Sequence, residues 1–297
     1  RATRHAADAA GAPAMAASGP HATAEPGRSD DPAFQASGVD GTLEPARRSS
    51  WPPWPPWRRR TLVLAALLAG LVVFGLARWL AAAPFIDARW SAGPAGAPKL
   101  AGSPLPGWQA HRDRSLVGIG APGTVPQPVD AALLHASPRW QVGDAERARQ
   151  VAQREGLARR LAAGATQLHF DDGTVIELTP APRGWGGLGW LFWPLCALAW
   201  LLAVTGAAVL IARPRLASLP YATMALCQAG NLLYIALETT PGLGLPPGAA
   251  AHGMGVRLTL DGATGAAAVT ALAGHPTRLP RARWIAVTAW AAVAAWL

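Results

Sequence analysis

The sequence predicts a multi-pass α-helical membrane protein with a small α+β extracytoplasmic domain and a disordered N-terminal tail. Three observations carry that class. Hydrophobic residues make up 51% of the 297-residue chain and charged residues only 14%, with 14 tryptophans of the kind that settle at membrane interfaces. Long apolar runs recur after residue 60, bounded by arginine clusters or by Pro/Gly loops. Between the first two runs lies a polar stretch, residues 84–185, about one small domain in length.

Residues 1–60 read as a cytoplasmic tail. Through Ser50 it is rich in Ala, Gly, Pro, Ser and Asp, too poor in large apolar side chains to offset the entropy of ordering. Trp51-Pro-Pro-Trp-Pro-Pro-Trp57 follows, where proline favours polyproline II and the indoles suit the headgroup layer, and Arg58-Arg59-Arg60 closes the segment on the cytoplasmic side. Residues 61–83 form the first span, an uncleaved anchor with Arg78 snorkelling and Pro84 as its stop.

In the domain at 84–185, the part before Pro128 is Pro- and Gly-rich and has no clear period. Beyond it, Asp144 is positioned to cap a helix over 145–163, stopped by Gly164, with Ala148, Val151, Ala152 and Leu161 as an apolar stripe and an arginine-rich face turned to solvent. Thr166–Phe170 and Thr174–Thr179 flank Asp171-Asp172-Gly173, a hairpin signal because Asp-Gly supplies the positive φ of a tight turn. Gly118-Ile-Gly120 and Gly242-Leu-Gly244 lack the context of a phosphate cradle and read as turn glycines.

Four further spans follow, at 186–212, 219–238, 249–274 and 284–297, the last cut short at the end of the sequence. The loops at 213–218 and 275–283 are basic and that at 239–248 has no basic residue, which places the first two inside and the third outside. The net charge of +9 belongs to this topology, because the arginines flank hydrophobic runs; nucleic acid is not a partner. Cys196 and Cys227 fall within spans and indicate neither a disulfide framework nor a zinc site.

The candidate site is an intramembrane polar cluster: Gln228 and Asn231 on one face of the 219–238 helix, Arg257 and Asp261 four apart on the 249–274 helix. Charge inside a bilayer is costly and faces a bundle interior or an aqueous cavity, so the cluster either relays a signal or forms a structural ion pair. His252 has no second histidine at ligand spacing and reads as interfacial. There is no Gly-x-Ser-x-Gly, His-Glu-x-x-His or Cys-x-x-Cys motif, so neither catalytic nor metal-binding residues are expected.

The run Asp171-Asp-Gly-Thr-Val-Ile-Glu-Leu-Thr-Pro-Ala-Pro-Arg-Gly-Trp185, the helix Tyr221–Glu238 and the loop His275–Trp284 resemble the input half of bacterial multi-pass sensor histidine kinases. The likeness covers residues 144–297. It implies an extracytoplasmic PDZ-like domain, a position in the bacterial cytoplasmic (inner) membrane, a homodimer and a response regulator as partner. The PDZ peptide-carboxylate loop has only a loose echo at Leu116–Gly120. None of the seven histidines precedes Glu or Asp, as a phospho-accepting histidine usually does, so ATP is expected only for a kinase core beyond Leu297. The expected function is sensing and signal transmission. The alternatives are a transporter subunit with the polar cluster on a substrate path, or a membrane-anchored assembly factor that binds protein.

Overall fold

A computed structural model of the chain describes residues 54–93, 96–105, 107–135, 137–275 and 277–296. The expected disordered tail, and Trp51 to Pro53 of the tryptophan-proline segment, lie outside them. Helix α1 (Pro56–Ala82) starts inside the segment expected to be extended, with proline in its first turn, where its missing N–H costs nothing. Helix α2 is Asp144–Ala163 and α3 is Phe192–Ala212. Helices α4 (Leu219–Glu238), α5 (Ala249–Gly274) and α6 (Ala282–Trp296) complete the set. α3 begins later than the expected span at 186, because Gly186–Leu188 forms a 3-10 turn that Gly189 ends at φ 81°.

Among the described residues, two helices, α1 and α3, are long and apolar enough to cross a membrane. Val63, Leu64, Leu67, Leu68, Leu71 and Val72 of α1 are all exposed, an apolar surface of the kind that marks a membrane or protein contact. α4 and α5 carry Gln228, Asn231, Arg257 and Asp261, which dilute their apolar character, and α6 is only 15 residues long. The helices pack in sequence order, α1 on α3, α3 on α4, α4 on α5 and α5 on α6. Close approach is met locally: the Trp200 indole donates to the Ala66 carbonyl across α1 and α3 (2.9 Å), and a Cβ on Gly206 would stand 3.2 Å from that of Ala225.

Among its described residues the polar domain holds eight short strands: β1 (Pro84–Phe85), β2 (Arg89–Ala92), β3 (Pro98–Gly102), β4 (Leu116–Gly120), β5 (Gln127–Pro128), β6 (Thr166–Phe170), β7 (Val175–Leu178) and β8 (Ala181–Pro182). They form an antiparallel four-stranded sheet in the order β5-β4-β6-β7 and two antiparallel pairs, β1-β8 and β2-β3. The hairpin forms where its turn chemistry places it. Thr166 pairs with Leu178 and Leu168 with Ile176; Gly173 adopts φ 81°, and the Asp172 carboxylate accepts from the Thr174 amide at 2.9 Å.

Three expectations need correction. Gly118 and Gly120 lie within β4 rather than in a turn; a Cβ on Gly118 would come within 3.0 Å of the Pro126 side chain, so the glycines let the 124–128 segment press against the strand. Gly143, not Asp144, caps α2, and Asp144 sits in the first turn, favourable to the helix dipole and paired with Arg147 at 2.7 Å. The buried face of α2 is Gln150, Leu157, Ala158 and Leu161, while Ala148 and Ala152 are exposed. Gln150 is accepted inside because its amide donates to the His135 carbonyl at 2.8 Å. The domain core joins Leu157 and Leu161 to Ile86, Leu100, Leu116, Ile119, Leu168 and Phe170, and includes Leu243 from the α4–α5 loop. A loop between two bundle helices thus supplies part of the domain's interior.

Candidate functional site

The site is the joint between this domain and the helices, built from the short connector Pro180–Trp185. β8 inside it pairs with β1, which follows α1 directly, so the domain is tied off at its base. The Arg183 amide donates to the Ala83 carbonyl at 2.9 Å and the Gly184 amide to that of Ala81 at 2.8 Å, linking the approach to α3 to the end of α1. Gly184 turns the chain at φ 67°. Trp185 then packs between Phe74 of α1 and Trp193 of α3, with ring centroids 5.7 and 6.1 Å apart.

Arg183 is the central residue. Its side chain is 5% exposed, yet it faces backbone carbonyls, not a carboxylate: it donates to those of Pro241 and Gly244 and, at 3.4 Å, to that of Gly187. Its guanidinium lies over the Phe85 ring, 4.6 Å from the centroid. Burial pulls its pKa down to about 10, with Asp87 opposing, so it remains charged at neutral pH. One cation therefore clamps β1, the α3 entrance and the α4–α5 loop together.

The loop meets the clamp by close contact. Ile86 and Leu243 exchange backbone hydrogen bonds of 2.7 and 3.4 Å. Gly242 and Gly244 have φ 82° and 118°, and a Cβ would stand 2.8 Å from the Ile86 carbonyl at the first and 2.7 Å from the Leu161 side chain at the second. They are the turn glycines that the sequence indicates. At the loop's end, α5 has no side-chain cap of its own; the Glu155 carboxylate of α2 accepts from the Gly248 amide at 2.9 and 3.1 Å instead. This corrects the expectation of a solvated charged face on α2. Arg160 likewise donates to the Ile119 carbonyl at 2.9 Å, and Arg154 donates to that of His135. Burial lowers the pKa of Arg154, with Glu238 opposing.

The expected polar cluster is divided differently from its spacing. Arg257 and Asp261 do not pair with each other. Arg257, 5% exposed, pairs with Glu238 at the end of α4 and lies 3.5 Å from the Ser137 hydroxyl of the domain. Asp261 accepts from Asn231 at 2.7 Å and pairs with Arg139 in the domain's 3-10 turn Pro138–Trp140. Gln228 stands apart, its amide 3.5 Å from the Thr264 hydroxyl. His252 has its Nδ1 2.9 Å from the Gly248 carbonyl, and no group of metal-ligating side chains occurs among the described residues.

The charges of α5 are thus neutralised by the domain as much as by the bundle. Sequence reasoning missed Arg183, Glu155, Arg139 and Ser137. A lone arginine between Pro182 and Gly184 was the available signal, since a connector has no other need of a cation; nothing local marks the others. Beside the joint, a cleft of about 910 Å³ opens between the β2–β3 region, α2 and the α4–α5 loop. Comparison with known protein families, curated proteins and solved structures finds no match to this chain.

Proposed function

We propose that the chain is the membrane sensor and signal-transmission module of a two-component sensor histidine kinase, with phosphorylation carried by a kinase core outside residues 1–297. In this reading it is a multi-pass protein of the bacterial inner membrane, N-terminus in the cytoplasm, acting as a homodimer on a response regulator. The α+β domain takes the part of the family's PDZ-like domain. The observation that carries the reading is the Arg183 clamp: a domain hydrogen-bonded at once to the end of α1, the approach to α3 and the α4–α5 loop cannot shift without moving helices. Such small helix shifts are what a packed bundle converts into two discrete states.

The gene beyond Leu297 tests the assignment. A helix carrying a His-Glu or His-Asp pair, followed by a glycine-rich ATP lid, is expected; further hydrophobic spans ending in a short tail overturn it in favour of a transporter. Coupling is tested in the intact parent by a flexible Gly-Ser insert after Gly184. Loss of stimulus-dependent phosphorylation with normal expression is expected, and a retained response would place sensing within the bundle. Reporters fused after Ser91 and after Ser218 should give outside and inside signals respectively, and the reverse overturns the topology.

A further inference from the structure

The cleft beside the joint has the size of a small-molecule site, about 910 Å³. Its walls come from two sources: Asp87–Trp90, Ala101–Pro104 and Arg154 and Leu157 of α2 on one side, and Thr240–Leu245 of the α4–α5 loop on the other. A molecule held there touches both bodies that Arg183 joins.

Five charged side chains line it, and two are already committed. Glu238 is paired with Arg257, and Arg154 is tied to the His135 carbonyl. The other three, Asp87, Arg89 and Arg112, are exposed, and none forms an ion pair among the described residues. The remaining lining is largely apolar, with Trp90, Leu134 and Leu245 only partly buried and available to an entering group. Two exposed guanidinium groups against one exposed carboxylate leave an excess of positive charge beside Trp90 and the leucines, which asks for an anionic head on an apolar body, and the planar fork of arginine matches a carboxylate in particular.

We propose that this cleft binds a small organic carboxylate with an apolar body, its head on Arg89 and Arg112 and its body against Trp90 and the leucine wall. The same chemistry comes from two sources, a soluble aromatic acid or a fatty acid released from the bilayer. If the joint transmits signals as proposed above, the ligand biases it by favouring the arrangement in which domain and loop both contact it. Binding itself needs no kinase, so a failed binding test removes the cleft proposal and leaves the sensor reading standing.

The experiment is calorimetry on the full chain in nanodiscs, titrated with phenylacetate, with empty nanodiscs and the neutral isostere phenylacetamide as controls. Saturable heat with phenylacetate alone is expected. Arg112→Gln should weaken binding about tenfold or more, as for loss of a hydrogen bond between charged groups. The double variant Arg89→Gln/Arg112→Gln should abolish it, and Arg159→Gln, exposed outside the cleft, should leave it unchanged. Decanoate doped into the nanodisc should compete if the bilayer is the source and leave phenylacetate binding intact if the source is soluble. Absence of saturable heat, equal binding of phenylacetamide, or unchanged affinity in the double variant overturns the proposal.

Discussion

Replacing Arg183 by methionine separates the clamp from ordinary packing. Methionine keeps a flexible stem over Phe85 but supplies no donor, so the carbonyls of Pro241 and Gly244 lose the partner that the guanidinium gives them. A buried carbonyl left unpaired costs about 1–3 kcal/mol, giving roughly 2–6 kcal/mol for two. Removing the guanidinium also removes its own desolvation cost, which brings the net effect toward the lower end, about 2 kcal/mol. That loss is local to the loop. The assay is amide hydrogen exchange of the chain in nanodiscs, read at Leu243, whose amide bonds to the Ile86 carbonyl at 3.4 Å. A 2 kcal/mol reduction in local opening energy speeds its exchange about thirtyfold. Arg183→Lys should fall between, because an ammonium keeps the charge without the fork that reaches two carbonyls. Exchange at residues 239–248 within about threefold of the parent in Arg183→Met would refute the clamp.

Gly244→Ala should lower the thermal midpoint in nanodiscs far more than Gly248→Ala. Both sites have positive φ, but at Gly244 the new methyl meets Leu161 at 2.7 Å and the Pro84 carbonyl at 3.0 Å, whereas at Gly248 the nearest atom is 3.5 Å away; the second variant carries only the left-handed backbone cost of about 1–2 kcal/mol. Glu238→Gln strands the buried Arg257 guanidinium and should cost about 3–5 kcal/mol in thermal unfolding followed by circular dichroism, with Glu238→Leu/Arg257→Met recovering most of it. Arg139→Gln, by contrast, breaks a pair whose side chains are 38% and 35% exposed and should cost under about 1 kcal/mol. At the hairpin, hydrogen bonds from Thr174, with Arg114 adding, hold the Asp172 carboxyl below its usual range. A lowered carboxyl pKa stabilises the fold above the ordinary value and is lost as the pH falls through the lowered one, so protection of the β6–β7 amides should decline on acidification, and Asp172→Asn should flatten that dependence.

What was legible in the sequence is what local chemistry determines. Asp-Gly fixed the hairpin turn, the Pro/Gly loop bounded α4 and α5 at the residues where the helices stop and start, and Gly164 ended α2. The illegible part is what depends on distant partners. The buried face of α2 could not be found from apolar spacing, because Gln150 goes inside on the strength of a bond to His135, fifteen residues away. β1 and β8 are two residues each, too short for any alternating pattern, and exist because the chain before and after the domain meets there. The partner of Arg257 was invisible for the same reason: four-residue spacing makes Asp261 the obvious choice on the helix surface, yet Glu238 across the loop takes it.

That last exchange changes what the charges of α5 imply. Ionisable residues in an apolar helix are read as intramembrane because a bilayer offers no other explanation. Asp261 lies twelve residues into α5, about 18 Å from its start at a helical rise of 1.5 Å per residue, and it is met there by Arg139 of the domain. Arg257, one turn nearer the start, is met by Ser137. The domain therefore runs alongside the first three turns of α5, and those turns need no bilayer to account for their charges. Only the stretch from Gly262 to Gly274 continues past Asp261, about 20 Å of helix against a hydrocarbon core of about 30 Å. α5 is thus part of the joint for half its length. Arg257 and Asp261, picked out as a membrane-buried site, are points where the domain meets the bundle, as Arg183 is, while Asn231 holds Asp261 from α4 and Gln228 lies outside the contact.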